Sequence, residues 1–155
     1  MKLSMFVCYA AGIATFWSGS AGAASRFEVT FYGWPDNDPP GNAISDPVIH
    51  QGAGGTGTSD DPITVAVRQG RFQPGTRMYL PALRKYLIVE DTCASCESDQ
   101  IDIWMESDGR FDEQVVACEE AWTPDGPLEV EIDPPQGRPV STTPFFDKNS
   151  GRCNR

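Results

Sequence analysis

The sequence contains little histidine and little positive charge, and each shortage excludes a kind of chemistry. His50 is the only histidine, so a zinc site built from several histidines is excluded. A Ser-His-Asp triad would have to use this residue, which lies in a loop without a nucleophile-elbow motif. Lys and Arg number 12 against 22 Asp and Glu, a net charge of −10. Such a surface repels a phosphate backbone, so nucleic acid is not an expected partner.

Beyond its N-terminus the chain also lacks a long apolar run, an internal repeat and a phosphate-binding loop. A membrane-spanning helix needs about 20 apolar residues, and the acidic charge disfavours anionic lipid surfaces. The glycine-rich segment 52–57 precedes a strand rather than a helix, unlike a phosphate loop. We therefore expect no membrane partner and no cofactor for the mature protein.

Residues 1–24 have the pattern of a secretory signal peptide. Lys2 provides a positive start, residues 3–17 are mostly apolar, and Ala21 to Ala24 are small, as at a signal cleavage site. A buried N-terminal helix is the alternative, but it would not require small residues at these positions. The pattern predicts a secreted protein, or a periplasmic one in a Gram-negative source. The mature chain, residues 25–155, has the length of one domain and is expected to be a monomer.

Four of the five cysteines follow this leader, and an even number in a small exported chain predicts two disulfides. They are Cys93, Cys96, Cys118 and Cys153, and the residues alone leave every pairing open. Cys153 lies close to the C-terminus, so one bridge is expected to tie the tail to the body. Cys93 and Cys96 also have the C-x-x-C spacing of redox proteins, but no βαβ pattern surrounds them, which favours a structural role.

Short segments rich in β-forming residues predict a mainly β fold with one helix and long loops. Helical spacing of apolar residues predicts the helix over residues 111–122, and a density of Pro and Gly predicts a long loop over 34–62. This pattern is typical of a small closed barrel, with a core over about 26–133 and a C-terminal tail over 134–155 that wraps the surface. The predicted strands cover residues 26–33, 63–67, 77–80, 85–90, 100–104 and 128–132.

The order of motifs between residues 29 and 104 resembles that of the double-psi β-barrel proteins of cell walls. Residues 30–33, Thr-Phe-Tyr-Gly, are similar to the first strand of expansins and their endoglucanase relatives. Residues 90–92, Glu-Asp-Thr, are similar to a segment of three-aspartate (3D) domain proteins. The Ile-Asp-Ile segment within residues 100–103 resembles a strand of those proteins and of RlpA-like lytic transglycosylases. The resemblance implies a six-stranded double-psi β-barrel that acts on a wall glycan.

Two positions depart from these families. Gln100 stands where expansins carry a histidine before their aspartate, and Arg68 stands where the first of the three aspartates falls. Asp60 or Asp61 is the candidate spatial substitute for that missing aspartate, and we assign Asp61 to substrate binding.

Cleavage of a glycosidic bond requires a proton donor for the leaving oxygen, and hydrolysis usually adds a second carboxylate. Asp102 is the leading candidate for the acid, because it interrupts an apolar strand where an aspartate is costly unless it is paired or functional. Asp91 matches the second of the three aspartates and is expected beside Asp102, although a turn cap is the alternative. Asp36 is the candidate second carboxylate, with ordinary loop chemistry as the alternative.

Aromatic residues near these aspartates are candidates for a sugar-stacking surface. They are Tyr32, Trp34 and Trp104, and core packing is the alternative for Trp104. The segment 36–38 is faintly similar to a calcium loop but lacks the distal glutamate, so no metal site is expected.

The sequence thus predicts a secreted enzyme that cleaves a cell-wall glycan, most simply a peptidoglycan muramidase or lytic transglycosylase with an aspartate general acid. The alternative is a non-catalytic, expansin-like module that binds or loosens wall polysaccharide.

Overall fold

The computed structural model describes residues 24–155. The predicted leader therefore lies outside the described residues, except for Ala24. The described chain forms a closed six-stranded barrel with one α-helix and a small two-stranded sheet. The barrel strands are β1 (Ala24–Tyr32), β2 (Ile63–Val67), β3 (Arg77–Leu80), β4 (Lys85–Thr92), β5 (Gln100–Trp104) and β6 (Leu128–Ile132).

The predicted mainly β fold is confirmed, with its six barrel strands, one helix and two disulfides. The disulfides join Cys93 to Cys96 and Cys118 to Cys153. Observed and predicted strand bounds differ by two residues at most, and the differences occur at the ends of β1 and β4. The alternation of apolar residues was therefore sufficient to locate the strands.

The strand order around the barrel is β1-β5-β2-β4-β3-β6, which interlocks strands that are distant in sequence. Two pairs, β1 with β5 and β2 with β4, are parallel, and the other pairs are antiparallel. The register aligns Thr30 with Asp102, Asp102 with Ala66, and Ala66 with Asp91. Because directly paired residues share a face of the sheet, this row crosses four neighbouring strands on one face.

The barrel core is built from the opposite faces of the same strands. On β5, Ile101 and Ile103 are fully buried, and Asp102 between them is turned to the other face. Val65 and Val67 of β2 alternate with Ala66 in the same way. Burying each large aliphatic side chain contributes about 1.5–3 kcal/mol, so the core holds this register firmly.

The helix α1 (Asp112–Trp122) packs against β1. Its buried residues are Val115, Cys118 and Glu119. The disulfide from Cys118 to Cys153 attaches the C-terminal tail to it, next to the sheet of β7 (Phe146–Asp147) and β8 (Arg152–Cys153). At 11 residues α1 is too short to cross a membrane, and no other part of residues 24–155 forms a longer helix.

The long loop between β1 and β2 is held to the barrel by Glu90, whose side chain is fully buried. Glu90 Oε1 accepts hydrogen bonds from the backbone amides of Val48, Ile49 and His50 at 3.1, 2.7 and 3.0 Å. Glu90 Oε2 lies 2.6 Å from His50 Nδ1 and accepts a hydrogen bond from the Thr64 hydroxyl at 3.2 Å. The loop therefore has a defined path in spite of its many prolines and glycines.

Candidate carboxylate site

Asp102 lies near the middle of a group of acidic side chains on the outer face of the barrel. The Thr30 hydroxyl donates a hydrogen bond of 2.7 Å to Asp102 Oδ1, and Gln100 Nε2 donates one of 3.0 Å to that hydroxyl. Burial raises the pKa of Asp102 to about 6; the Thr30 hydrogen bond opposes this rise, and the charges of Asp36 and Asp91 add to it. A carboxyl with this pKa can donate a proton in weakly acidic solution.

Asp91 lies close enough to Asp102 for its charge to act on that pKa. It is buried, and its Oδ2 accepts a hydrogen bond of 2.9 Å from the Tyr32 hydroxyl. Its Oδ1 accepts hydrogen bonds from the amides of Ser45 at 3.1 Å and Thr92 at 2.8 Å. Burial, followed by the charge of Asp91, raises the pKa of Tyr32 well above its usual value. Tyr32 is thus a neutral donor that fixes the position of Asp91.

Asp36 is exposed in the loop after β1, and it reaches a carboxylate that sequence reasoning missed. That residue is Glu119, which is only 5% exposed on the face of α1 that packs against β1. Burial raises the pKa of Glu119 to about 8, and the charges of Asp36 and Asp102, with hydrogen bonding to Asp36, contribute to the rise. Glu119 is therefore protonated at neutral pH.

A glycine makes the approach of Glu119 possible. A Cβ atom at Gly33 would lie 2.6 Å from Glu119 Oε1 and 2.8 Å from Ser107 Oγ. This Oε1 is buried without a hydrogen-bond partner among the described residues. A sequence signal for Glu119 existed, because it lies four residues after the buried Val115 and so falls on the apolar face of the helix.

The aromatic candidates divide between the surface and the core. Trp34 is partly exposed, and its backbone amide donates a hydrogen bond of 2.8 Å to Ser107 Oγ. Trp104 is 1% exposed and packs edge-on against Tyr32, with ring centroids 5.3 Å apart. Among the three, Trp34 alone is more than slightly exposed.

Asp61 lies apart from this group. Its Oδ1 is 3.0 Å from His50 Nε2, on the side of the imidazole opposite Glu90. Burial would lower the pKa of His50, but the hydrogen bonds to Asp61 and Glu90 outweigh that effect and raise it. Asp61, Trp104 and Lys85 line a cavity of about 310 Å³. Asp61 thus contacts the loop through His50, and no hydrogen bond joins it to Asp91 or Asp102 among the described residues.

A second cleft adjoins Asp91. It has a volume of about 200 Å³ and includes Arg68, which is exposed at its edge, together with Asp46 and Phe72. Arg68 and Asp91 thus line the same cleft. A cleft lined by one arginine and two carboxylates can hold polar groups of a ligand in a fixed orientation.

The Cys93–Cys96 disulfide also touches the site. Both sulfur atoms and a carboxylate oxygen of Asp102 lie within 4.8 Å of one another. The sulfurs are bonded to each other, so as found these three residues are not a set of metal ligands.

The arrangement as a whole contains two carboxyls with raised pKa values, the partly buried Asp102 and the buried Glu119. Asp102 exchanges its proton near pH 6 and Glu119 near pH 8. Asp36 is exposed, and its charge acts on both groups. Environments that separate the pKa values of neighbouring carboxyls permit different roles for each.

Comparison with known proteins gives a family without a stated activity. The family described as "DDB_G0273701 N-terminal domain" matches residues 24–154. A protein of Dictyostelium discoideum, named as uncharacterized protein DDB_G0273701/DDB_G0273221, is 34% identical over 160 residues, covering 99% of this chain and 70% of its own length. No solved structure matches the chain.

Proposed function

We propose, from the premise that this chain belongs to the DDB_G0273701 N-terminal domain family, that it is a secreted enzyme that cleaves a cell-wall glycan. Its preferred substrate is peptidoglycan, cut by a muramidase or lytic transglycosylase reaction in which Asp102 is the general acid. The observation that carries this proposal is the partly buried Asp102 carboxyl, whose pKa of about 6 is set by burial and by Asp36 and Asp91. The interlocked barrel and the position of Asp91 support the resemblance to double-psi proteins.

Asp102 has the properties that proton donation to a glycosidic oxygen requires. Its second oxygen, Oδ2, accepts no hydrogen bond from the described side chains, whereas Oδ1 is held by Thr30. A donor fixed at one oxygen and free at the other can point its proton at a bound substrate. In a lytic transglycosylase the sugar's own hydroxyl then attacks the anomeric carbon, so one acid/base group is sufficient.

Hydrolysis would need a second carboxylate, and Asp36 fits that role better than Asp91. Asp36 is exposed, so water and substrate can reach it. Asp91 is 7% exposed, and both of its oxygens accept hydrogen bonds within the protein. We assign Asp91 and Glu119 to positioning: Asp91 acts on the pKa of Asp102, and Glu119 holds Asp36.

The pH dependence of cleavage follows from the protonation of Asp102. The acid must carry its proton, so cleavage is expected to fall as pH rises through about 6. Removing the Thr30 hydrogen bond, which lowers this pKa, by Thr30→Val should move the alkaline limb upward.

The test is incubation of the mature protein with purified peptidoglycan, beside cellulose and chitin, with mass spectrometry of the soluble products. Asp102→Asn should lower product release by about 10²–10⁴-fold, the range of general acid catalysis. Asp99→Asn is the matched control, because Asp99 is exposed just before β5 and should leave the rate unchanged. Anhydro-muropeptides would identify a lytic transglycosylase, and reducing ends would identify a hydrolase. Equal release by wild type and Asp102→Asn would refute the assignment of the acid.

A non-catalytic binding module is the second candidate, and Gln100 favours it. The amide of Gln100 donates to Thr30, which donates to Asp102, so the position of the expansin histidine serves a static hydrogen-bond chain. Such a module should sediment with one insoluble polymer and release no sugar ends during long incubation. Binding that persists in Asp102→Asn, with no product from either protein, would favour this candidate.

A further inference from the structure

The two disulfides differ in how much of the fold they hold. Cys118–Cys153 joins residues 35 apart, and Cys93–Cys96 joins residues 3 apart. In the chain-entropy account the stabilisation grows with the length of the closed loop, so the long link contributes more than the short link. The short link is therefore the one whose opening the barrel tolerates better.

The two cysteines of the short disulfide also differ in exposure to solvent. Cys93 is partly exposed, and its sulfur lies 3.7 Å from the Ser95 hydroxyl. Cys96 is 4% exposed. The carboxyl of Asp102 lies within 4.8 Å of both sulfurs. An attacking group can thus reach Cys93 from solvent, while the carboxyl lies close to the buried sulfur of Cys96.

We propose that Cys93–Cys96 is a thiol-exchange site, at which small thiols of the glutathione type reduce the disulfide and Asp102 delivers the proton to Cys96. This exchange does not depend on glycan cleavage, because its reacting groups are the two sulfurs and one carboxyl of the protein and no glycan takes part.

Reduction of the disulfide consumes two thiol molecules. The first, as a thiolate, attacks Cys93 Sγ; a mixed disulfide forms, the bond between the two cysteines breaks, and its electron pair goes to Cys96 Sγ. The Asp102 carboxyl gives its proton to this sulfur and regains one from solvent. A second thiolate attacks the outer sulfur of the mixed disulfide, releasing the oxidised thiol and the Cys93 thiolate, which takes a proton from solvent. Two thiols are oxidised to one disulfide, and the protein disulfide is reduced to two thiols.

The surroundings of Asp102 suit it to this proton transfer. Burial raises its pKa to about 6, and the charges of Asp36 from the loop and Asp91 from β4 contribute. Glu119 of α1 and Tyr32 of β1 are the other titratable groups coupled to it, and both are neutral near pH 7. Opening the disulfide would admit water to the carboxyl and lower this pKa, so the redox state of the pair would alter the acid.

The experiment exposes the folded protein to excess reduced glutathione between about pH 5 and pH 8, stops the reaction by alkylation and locates the modified cysteines by mass spectrometry. Cys93 and Cys96 should be modified at least tenfold faster than Cys118 and Cys153. Asp102→Asn should slow modification about tenfold at or below about pH 6 relative to wild type, with a smaller effect at higher pH. Asp99→Asn, an exposed carboxylate of the same segment, should match wild type.

Each outcome decides the proposal. Equal rates at both disulfides would overturn the exchange site, and selective reduction that is the same in Asp102→Asn and wild type would overturn the role of Asp102. Circular dichroism and an intact Cys118–Cys153 bond report whether a variant is folded. If Asp102→Asn does not fold, Thr30→Val keeps the carboxyl and removes the hydrogen bond that lowers its pKa. In this variant the Asp102 carboxyl should stay protonated to higher pH, so the part of the reduction rate that depends on the acid should extend to higher pH. A profile of rate against pH that does not shift would overturn the proposal.

Discussion

Two acidic side chains of this small barrel, Glu90 and Asp102, differ in the hydrogen-bond donors around them, and their pKa values move in opposite directions. Glu90 is surrounded by donors, with three backbone amides, the Thr64 hydroxyl and the His50 ring around its two oxygens. Burial would raise the pKa of Glu90, but these hydrogen bonds lower it. Asp102 has one side-chain donor and two acidic neighbours, so burial prevails and its pKa rises.

The comparison teaches that burial of a carboxyl is by itself no sign of function. Glu90 is the more deeply buried of the two, yet its donors make it a structural anchor for the loop between β1 and β2. Asp102 has the Thr30 hydroxyl as its one side-chain donor, and burial raises the pKa values of both Asp102 and Glu119. The donors around a buried carboxyl therefore decide in which direction its pKa moves.

The largest effect on stability is expected at Glu90, the carboxylate with the most hydrogen-bond donors. Glu90→Ala leaves three backbone amides and His50 without their acceptor, so it should lower the free energy of unfolding by about 3–5 kcal/mol. Urea denaturation at neutral pH measures this loss.

Glu129→Ala is the control for this change, because Glu129 is an exposed glutamate of β6. It should alter stability by no more than about 0.5 kcal/mol. If Glu90→Ala lowered the free energy of unfolding no more than the control does, the distinction between Glu90 and Asp102 would be wrong.

A smaller effect of opposite sign is expected at Glu119. Folding raises its pKa from 4.5 to about 8, so the native state favours the protonated form and stability falls as pH rises between these values. Glu119→Gln removes this cost and should raise the free energy of unfolding by about 1–2 kcal/mol at about pH 9, after allowance for solvent screening, with no gain near pH 4. Thermal unfolding across this range provides the measurement.

Glu120→Gln is the matched control, since Glu120 is the exposed neighbour of Glu119 on the same helix. Its effect should be small at both pH values. A gain in stability from Glu119→Gln that did not depend on pH would contradict the raised pKa.

The smallest effect concerns His50, which bridges Glu90 and Asp61. Its pKa is raised in the folded state, so its ionic contribution is complete below the unfolded value of 6.5 and is lost as pH rises through the folded pKa. His50→Gln should therefore cost about 1 kcal/mol near pH 5, and less at high pH. Limited proteolysis of the loop, compared at the two pH values, would detect the same change.

Two outcomes at His50 would oppose this view. A cost that grew with pH would have the wrong sign for a raised pKa. A cost equal at all pH values would mean that His50 acts by hydrogen bonding and packing alone.

Much of the candidate site could be predicted from local sequence. Asp102 was identifiable because a polar residue between two isoleucines interrupts a strand, and alternation turns it to the face opposite the core. Glu90 offered the same kind of signal in β4, where it follows five buried residues, but nothing in the sequence revealed that His50 and its neighbours would supply its donors.

What the sequence determined by itself was the set of elements, because strand alternation and helical spacing are local properties that neighbouring residues carry. What only the tertiary structure decided was which carboxylates meet. The barrel closure aligns Asp91 with Asp102 across Ala66, and Gly33 leaves room for Glu119 to reach the end of β1. The donors and charges that set each pKa come from residues far apart in the chain, so they are defined only once the strands have paired.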